Sequence, residues 1–152
     1  MGRIDDRLRE LGITLPPTPT PLANYVPAKR VGILAVTAGQ VSVTPDHEYR
    51  GQLGTERTVE EGQAAVRACF LNCLASLLTV VDSLDRVVQL VRIDGLINSA
   101  PGFTGQAAVM NGASDLAVAI FGEAGKHVRT SAGVAGLPNN YSASLYITAE
   151  VE

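Results

Sequence analysis

The chain has 152 residues, of which 46% are hydrophobic and 18% charged, and its formal net charge is -3 with a pI near 5.4. This length favours one domain with a real core, and the composition is that of an ordinary globular protein. The acidic balance argues against a protein that binds a nucleic-acid backbone, which is usually basic. No apolar run is long enough to cross a membrane without a charge or a glycine or proline break, and the first residues have no apolar signal core. We therefore expect a cytoplasmic protein without membrane contact.

The N-terminal stretch reads as an arm. Residues 3–11 have apolar side chains at helical spacing with charges between them, which predicts a short amphipathic helix that Gly12 ends. A proline-rich extended segment follows. Nine or so helical residues are too few for a domain of their own, so we expect residues 1–24 to pack on the body of a single domain spanning 1–152.

The stretch 25–43 is rich in strand-forming residues. Lys29-Arg30 interrupts its first apolar run, which suggests a hairpin turn at that point. Ala38-Gly39-Gln40 forms a kink of small residues, where the backbone can approach a ligand closely or simply form a bulge.

Two long helices flank a strand in the middle of the chain. Thr58 and Glu61 have the spacing of a capping box, which predicts a helix from there to about Val81. Residues 86–97 are β-branched and apolar, as in a central strand, and a second helix covers roughly 104–121.

The two cysteines, Cys69 and Cys73, are four residues apart and therefore share one face of the first long helix. A zinc site would need more ligands, and the two histidines, His47 and His127, are far apart in sequence. We expect two buried, reduced thiols, and neither a metal nor an organic cofactor.

The C-terminal stretch, 127–152, contains two strand-like runs separated by Leu137-Pro138-Asn139-Asn140. We interpret it as a hairpin with Arg129 at its mouth. A guanidinium in this position can present a two-pronged donor to a carboxylate, or it can be an ordinary surface side chain.

The last run alternates between apolar and polar residues, which is typical of a half-buried strand. The order helix, β, β, β, α, β, α, β, β predicts one mixed sheet with two helices on one face. The helices require the apolar side of the last strand. Ser144, Tyr146 and Thr148 should then point to the uncovered face, which must meet solvent or another subunit.

Five segments taken together resemble the Rid family of reactive enamine/imine deaminases, also called YjgF-type or L-PSP endoribonuclease-like proteins. The N-terminal helix resembles a longer bacterial branch of that family. The segments that carry the resemblance are Tyr25-Val26-Pro27, Thr37-Ala38-Gly39-Gln40, Asn98-Ser99-Ala100-Pro101-Gly102-Phe103, Asn111-Gly112-Ala113-Ser114-Asp115 and Arg129-Thr130-Ser131-Ala132-Gly133-Val134.

The resemblance implies a chorismate-mutase-like α+β fold and a homotrimer with clefts between its subunits. It also implies hydrolytic deamination of 2-enamino or 2-imino acids, with Arg129 holding the carboxylate of the substrate. Tyr25, Gly39 and Asn111 match further substrate-binding positions of the cleft, and Ser131 stands where the family often has cysteine.

The chain departs from the deaminating members at two positions. Ser144 replaces the glutamate that is thought to handle the hydrolytic water, and Ala38 replaces a hydroxyl. Because serine cannot act as a general base near neutral pH without help, Ser144 would at most help to hold a water during catalysis.

Three alternatives to a deaminase therefore stay open. The clefts can bind small carboxylate metabolites without turnover, or the trimer can be purely structural. The endoribonuclease or translation-inhibitor activity attached to the family name is a further alternative, for which the sequence offers no histidine pair, basic stripe or aromatic stacking platform.

Overall fold

A computed structural model gives the fold of residues 2–21 and 23–152. The helices are α1 (Arg3–Glu10), α2 (Val59–Leu77) and α3 (Gln106–Phe121). The strands are β1 (Ala28–Val31), β2 (Leu34–Thr37), β3 (Gln40–Val41), β4 (Val87–Asn98), β5 (Val128–Val134) and β6 (Ala143–Val151). They form one six-stranded mixed sheet in the order β1-β2-β6-β4-β5, with β3 also paired to β6. The predicted α+β, chorismate-mutase-like fold is confirmed.

The expected hairpin between the last two strands is wrong. β4 lies between β5 and β6 and pairs parallel to β5 and antiparallel to β6, so β5 is an edge strand. Arg129 therefore lies on the sheet edge, opposite Ile93 of β4, and not at the mouth of a hairpin. The physical reason is that the long central strand offers both neighbours more ladder hydrogen bonds than a direct β5–β6 pair could form.

The predicted turn at Lys29-Arg30 is also wrong, because both residues lie within β1. The turn is Gly32-Ile33, and Gly32 has φ +61, a conformation that favours glycine in a two-residue hairpin. The charges instead mark β1 as an edge strand. Tyr25 precedes β1 and is not part of a strand.

Helix α2 begins as predicted. The Thr58 hydroxyl accepts from the Glu61 backbone N–H at 3.2 Å, and the Glu61 carboxylate accepts from the Thr58 N–H at 3.1 Å. This hydrogen bonding lowers the pKa of Glu61. The helix ends earlier than expected, at Leu77.

The core lies between α2, α3 and one face of the sheet. The alternate residues Leu145 and Ile147 of β6 are at most 1% exposed in this layer, as their period of two predicts. Helices α2 and α3 pack so closely that a Cβ on Gly112 would lie 2.5 Å from the Gln63 carbonyl oxygen. Only glycine, which has no Cβ, avoids this clash.

Both cysteines are fully buried and free, as expected, and they attach α2 to β6. The Cys69 thiol donates to the Ala143 carbonyl at 3.5 Å, and the Cys73 thiol donates to the Leu145 carbonyl at 3.4 Å. Burial raises the pKa of the Cys73 thiol to about 12 and that of Cys69 well above its usual value.

The arm is fixed by a carboxylate far away in sequence. Asp85 accepts from the backbone N–H groups of Arg3 at 2.9 Å and Ile4 at 2.8 Å, so it caps α1. Arg7 then donates from Nε to the Ala119 carbonyl at 2.7 Å. Together with buried Ile4, these contacts pack α1 on the body of the domain.

Burial of the two thiols should make their reaction with disulfide reagents slow. Because the thiolate is the reactive species and both thiol pKa values are raised, neither cysteine should react with a disulfide reagent in the folded protein at pH 8. Both should react after unfolding in guanidinium. Thr55→Cys, on an exposed loop, is the positive control. Reaction of a native thiol as fast as that of this control would contradict the prediction.

Removing the cap should loosen the arm. Asp85→Ala leaves two N–H groups of α1 without their acceptor, so we expect a loss of about 1 kcal/mol in the free energy of unfolding and faster tryptic cleavage in α1. Asp82→Ala is the matched control, because its exposed carboxylate bonds only to Arg86 among the described residues. Equal cleavage rates in the two variants would show that the cap does not hold the arm.

Candidate functional site

Arg129 is the second residue of β5, and its side chain points to the helix side of the sheet. Its partner across the ladder, Ile93, belongs to the core under the helices. Alternation along the strand places Ser131 on the same side as Arg129, half-buried and opposite Gly95. The edge position leaves Arg129 half-buried.

Helix α3 holds the guanidinium of Arg129 by three neutral acceptors. Nη1 donates to Asn111 Oδ1 at 3.0 Å and to Ser114 Oγ at 3.1 Å, and Nη2 donates to the Ala107 carbonyl at 3.2 Å. These three residues follow each other at i, i+4 and i+7, so one face of α3 meets the arginine.

Two donors of Arg129 remain for a ligand. A guanidinium has five N–H donors, and the three bonds above use both hydrogens of Nη1 and one of Nη2. Within residues 2–21 and 23–152, the Nε–H and the second Nη2–H have no protein acceptor. Nε and Nη2 share one edge of the guanidinium plane, which is the arrangement that a carboxylate bridges.

A serine and a histidine extend this hydrogen-bonded group, and no sequence motif predicts a role for either. His127 Nε2 lies 2.9 Å from Ser114 Oγ, and His127 Nδ1 lies 2.7 Å from the Gly125 carbonyl oxygen. The sequence signals for these two residues are their spacings: His127 precedes Arg129 by two residues, and Ser114 follows Asn111 by three on α3. We call Arg129, Asn111, Ser114 and His127 the arginine cluster.

Ser144 and Gly39 form a second pair elsewhere. Ser144 is 9% exposed and lies on β6 between Val41 of β3 and Leu96 of β4. A Cβ on Gly39 would lie 3.1 Å from Ser144 Oγ, so the kink brings its backbone against this hydroxyl. The kink, which links β2 to β3, is therefore a close approach of the backbone to β6.

The structure brings only some of the predicted site residues together. Asn111 bonds directly to Arg129. Ser144 points to the face opposite the core residues Leu145 and Ile147, whereas Arg129 points to the helix side. Tyr25 is 57% exposed ahead of β1. One chain therefore presents the arginine cluster and the Gly39–Ser144 pair on opposite faces of its sheet.

The uncovered sheet face carries exposed apolar side chains beside one ion pair. Arg92 Nε donates to Asp94 Oδ1 at 2.8 Å, and Arg92 Nη2 donates to Thr130 Oγ1 at 2.6 Å. Tyr146 lies opposite Asp94. The apolar side chains on this face that are at least 40% exposed include Val31, Leu34, Val36, Val128 and Tyr146.

The larger surface grooves lie away from both groups. One has a volume of about 540 Å³ and runs between Arg30, Thr79 and Glu152. Another, of about 500 Å³, lies between α1 and the C-terminal end of α3. Neither groove includes Arg129 or Ser144, so the chemistry of Arg129 and not cavity size identifies the candidate site.

In the part of the chain that the structure describes, no helix combines the length and the apolar character needed to cross a bilayer. Nor do three or more His, Cys, Asp or Glu side chains of residues 2–21 and 23–152 gather in a group that could hold a metal ion.

Comparison with known proteins agrees with the fold. A family model described as "YjgF/chorismate mutase-like, putative endoribonuclease" matches residues 5–151. Protein TCP17 of Trypanosoma cruzi is 41% identical over 156 residues, covering 99% of this chain and 94% of that protein.

Two solved structures extend the comparison. A structure from Shewanella oneidensis, described as a putative endoribonuclease, is 36% identical with a TM-score of 0.94, covering 99% of this chain and 100% of that one. The yjgF gene product of E. coli, with a TM-score of 0.63 and 17% identity over 90% of this chain and 97% of that one, shares the fold. The chain belongs to the YjgF-type family, the Rid family that its sequence resembles.

Proposed function

We propose that the protein hydrolyses 2-imino and 2-enamino acids to 2-keto acids and ammonia. The observation that carries this proposal is the guanidinium of Arg129, which α3 holds by three neutral acceptors and which keeps two adjacent N–H donors for a carboxylate. Family membership supports the same assignment, since the resemblance gives Arg129 the role of carboxylate anchor.

The proposed reaction needs little more than orientation and water. The substrate carboxylate accepts from Nε and Nη2 of Arg129, which fixes the imine carbon beside the arginine cluster. A 2-enamino acid first tautomerises to the 2-imino acid by moving a proton from nitrogen to its β-carbon. Water then adds across the C=N bond, its oxygen to carbon and a proton to nitrogen. As the C–N bond of the resulting carbinolamine breaks, its hydroxyl proton passes to the leaving nitrogen, which releases ammonia and leaves a 2-keto acid. Ser144 donates or accepts a hydrogen bond to the water and does not remove its proton.

The complete site requires a second copy of the chain. Arg129 and the Gly39–Ser144 pair point to opposite faces of one sheet, and a substrate of a few atoms cannot contact both. A homotrimer, as the resemblance implies, would place the arginine cluster of one subunit against Gly39, Ser144 and Tyr25 of its neighbour. Support comes from the exposed apolar side chains on the uncovered face, which a second copy would bury.

A second function is favoured by Ser144 itself. The strand position that holds the water-handling glutamate in deaminating members carries a serine here, and Ala38 removes a further hydroxyl. Binding of small 2-keto acids or related carboxylates without turnover needs only the arginine cluster. The two functions differ in the fate of the ligand and not in the way its carboxylate is held.

Replacing the anchor should abolish deamination. An amino-acid oxidase generates 2-imino acids in situ, semicarbazide traps them, and loss of the trapped product reports hydrolysis. We expect Arg129→Ala to lower kcat/KM about 100-fold or more, because two charge-assisted hydrogen bonds are lost. Arg129→Lys should be intermediate, since it keeps the charge without the fork.

Arg67→Ala, on the exposed side of α2, is the matched control for a lost arginine. All variants should retain the wild-type mass by light scattering, which for a trimer of 15.9 kDa chains is about 48 kDa. Wild-type rates in Arg129→Ala would remove the anchor role and with it the proposed mechanism.

Adding a base should separate catalysis from binding. Ser144→Glu restores the carboxylate of the deaminating members, and general-base assistance predicts a rate increase of about 100-fold or more. The Ser144→Gln variant has a side chain of similar size to glutamate but no basic carboxylate, so it should not show this rate increase. Calorimetry with pyruvate should give similar affinities for all three proteins.

Two results would redirect the assignment. Activity in Ser144→Glu but not in the wild type, with pyruvate bound by both, would favour the binding function. Neither hydrolysis nor pyruvate binding in any of these proteins would contradict both functions.

A further inference from the structure

We propose that His127 is a positioning residue for Arg129 and that it acts through the Ser114 hydroxyl. The inference rests on the proposed function only for the identity of the ligand that Arg129 binds. The coupling between the three side chains is a property of the free protein and is tested separately below.

The hydrogen positions follow from one backbone carbonyl. The Gly125 oxygen can only accept, so His127 Nδ1, 2.7 Å away, must carry a hydrogen. In the neutral ring Nε2 is then an acceptor, and the Ser114 hydroxyl, 2.9 Å away, must donate to it. Ser114 Oγ in turn accepts from Arg129 Nη1 at 3.1 Å. All donors therefore point one way, from Arg129 through Ser114 and His127 to the Gly125 carbonyl.

The direction of these hydrogen bonds matters because a serine hydroxyl within a helix can also donate to a backbone carbonyl of its own helix. Ser side chains in helices commonly donate to the carbonyl four residues earlier, and without His127 the Ser114 hydroxyl would be free to rotate. His127 Nε2 accepts the hydrogen bond from the Ser114 hydroxyl, which leaves the lone pairs of Oγ facing the guanidinium. A fixed Nη1 sets the guanidinium plane, and this plane sets the direction of the Nε and Nη2 donors that a carboxylate would meet.

The backbone around Gly125 shows how the chain fixes the histidine. A Cβ at Gly125 would lie 2.3 Å from the Ala117 carbonyl oxygen, so only glycine allows this turn to pack against α3. The close packing places the Gly125 carbonyl under the imidazole. His127, which immediately precedes β5, and Arg129 of β5 then both reach Ser114 of α3, which lies between them.

The first experiment reads the tautomer in the free protein. Long-range ¹H–¹⁵N spectra of the neutral imidazole should show His127 with its hydrogen on Nδ1, whereas an imidazole without a fixed partner favours hydrogen on Nε2. The chain has two histidines, and His47→Gln removes the other signal. A neutral His127 with hydrogen on Nε2 would overturn the proposal, because Ser114 could then no longer donate to it.

The second experiment separates the acceptor at Nε2 from the packing of the ring. In His127→Asn the amide can still donate to the Gly125 carbonyl but cannot reach Ser114. In His127→Gln the side-chain oxygen can take the place of Nε2. We expect His127→Asn and Ser114→Ala to weaken pyruvate binding about tenfold and raise KM similarly with kcat nearly unchanged, and His127→Gln to retain most of the affinity.

The double variant provides the test of coupling. If His127 acts through Ser114, Ser114→Ala/His127→Asn should be no weaker than either single variant. Additive losses, equal losses in the Asn and Gln variants, or a loss confined to kcat would overturn the proposal. Thermal unfolding of each variant identifies any that lose affinity through instability.

A readout without ligand keeps the proposal separate from the proposed function. In the wild type and His127→Gln, rotation about the Cζ–Nη1 bond of Arg129 should be slow by NMR because Nη1 has two acceptors. In His127→Asn it should become faster. If no protein hydrolyses imines or binds pyruvate but these signals behave as stated, the proposed function fails and the positioning role stands. If rotation is unchanged in His127→Asn, the positioning role fails.

Discussion

Strand β6 must bury every second side chain under α2, and the rest of the structure depends on this constraint. Its core residues, among them Leu145 and Ile147, are almost fully buried, and the thiols of α2 donate to its carbonyls. A shift of one residue would move the whole apolar set to the other face, so the register is strongly specified. With β6 between β2 and β4, the polar residues Ser144 and Tyr146 can only face the uncovered side. The same order leaves β5 at the edge, where Arg129 can meet α3 and a ligand together.

Local patterns predicted the elements but not the way strands pair. The period of two in the last strand and the capping box at Thr58 both reflect interactions within a few residues, and both are present. The pairing of β5 depends on competition between distant strands, and nothing in 127–152 reveals that β4 lies between its two runs. The charged pair Lys29-Arg30 was misleading for a related reason. Charge marks solvent exposure, which turns and edge strands share, whereas the positive φ of Gly32 marks the turn itself.

The candidate site likewise has residues that the sequence predicts and residues that only the packing of distant elements brings in. Arg129 and Asn111 followed from the family resemblance, and their hydrogen bond is present. Ser114 and His127 have no motif of their own, because a serine and a histidine thirteen residues apart become neighbours only when α3 packs on β5. The two faces of the sheet explain why one chain shows a partial site. Sequence spacing can assign Ser144 to a position in a family, but it cannot say which copy of the chain that position serves.

The hydrogen bonds in the arginine cluster orient Arg129 for binding an anion, and they do so independently of any group that acts on water. Arg92 places its charge against Asp94, whereas Arg129 is held by an amide, a hydroxyl and a carbonyl, none of which neutralises it. Neutral acceptors orient a guanidinium and leave its charge available, which suits an anionic ligand. In the proposed site the water would be held at the other face, near Ser144, so a serine in place of a basic carboxylate there leaves the geometry around Arg129 intact. Under the proposed function, a carboxylate site on this scaffold is compatible both with turnover and with binding alone, and the residue at position 144 would set how fast a bound imine is hydrolysed.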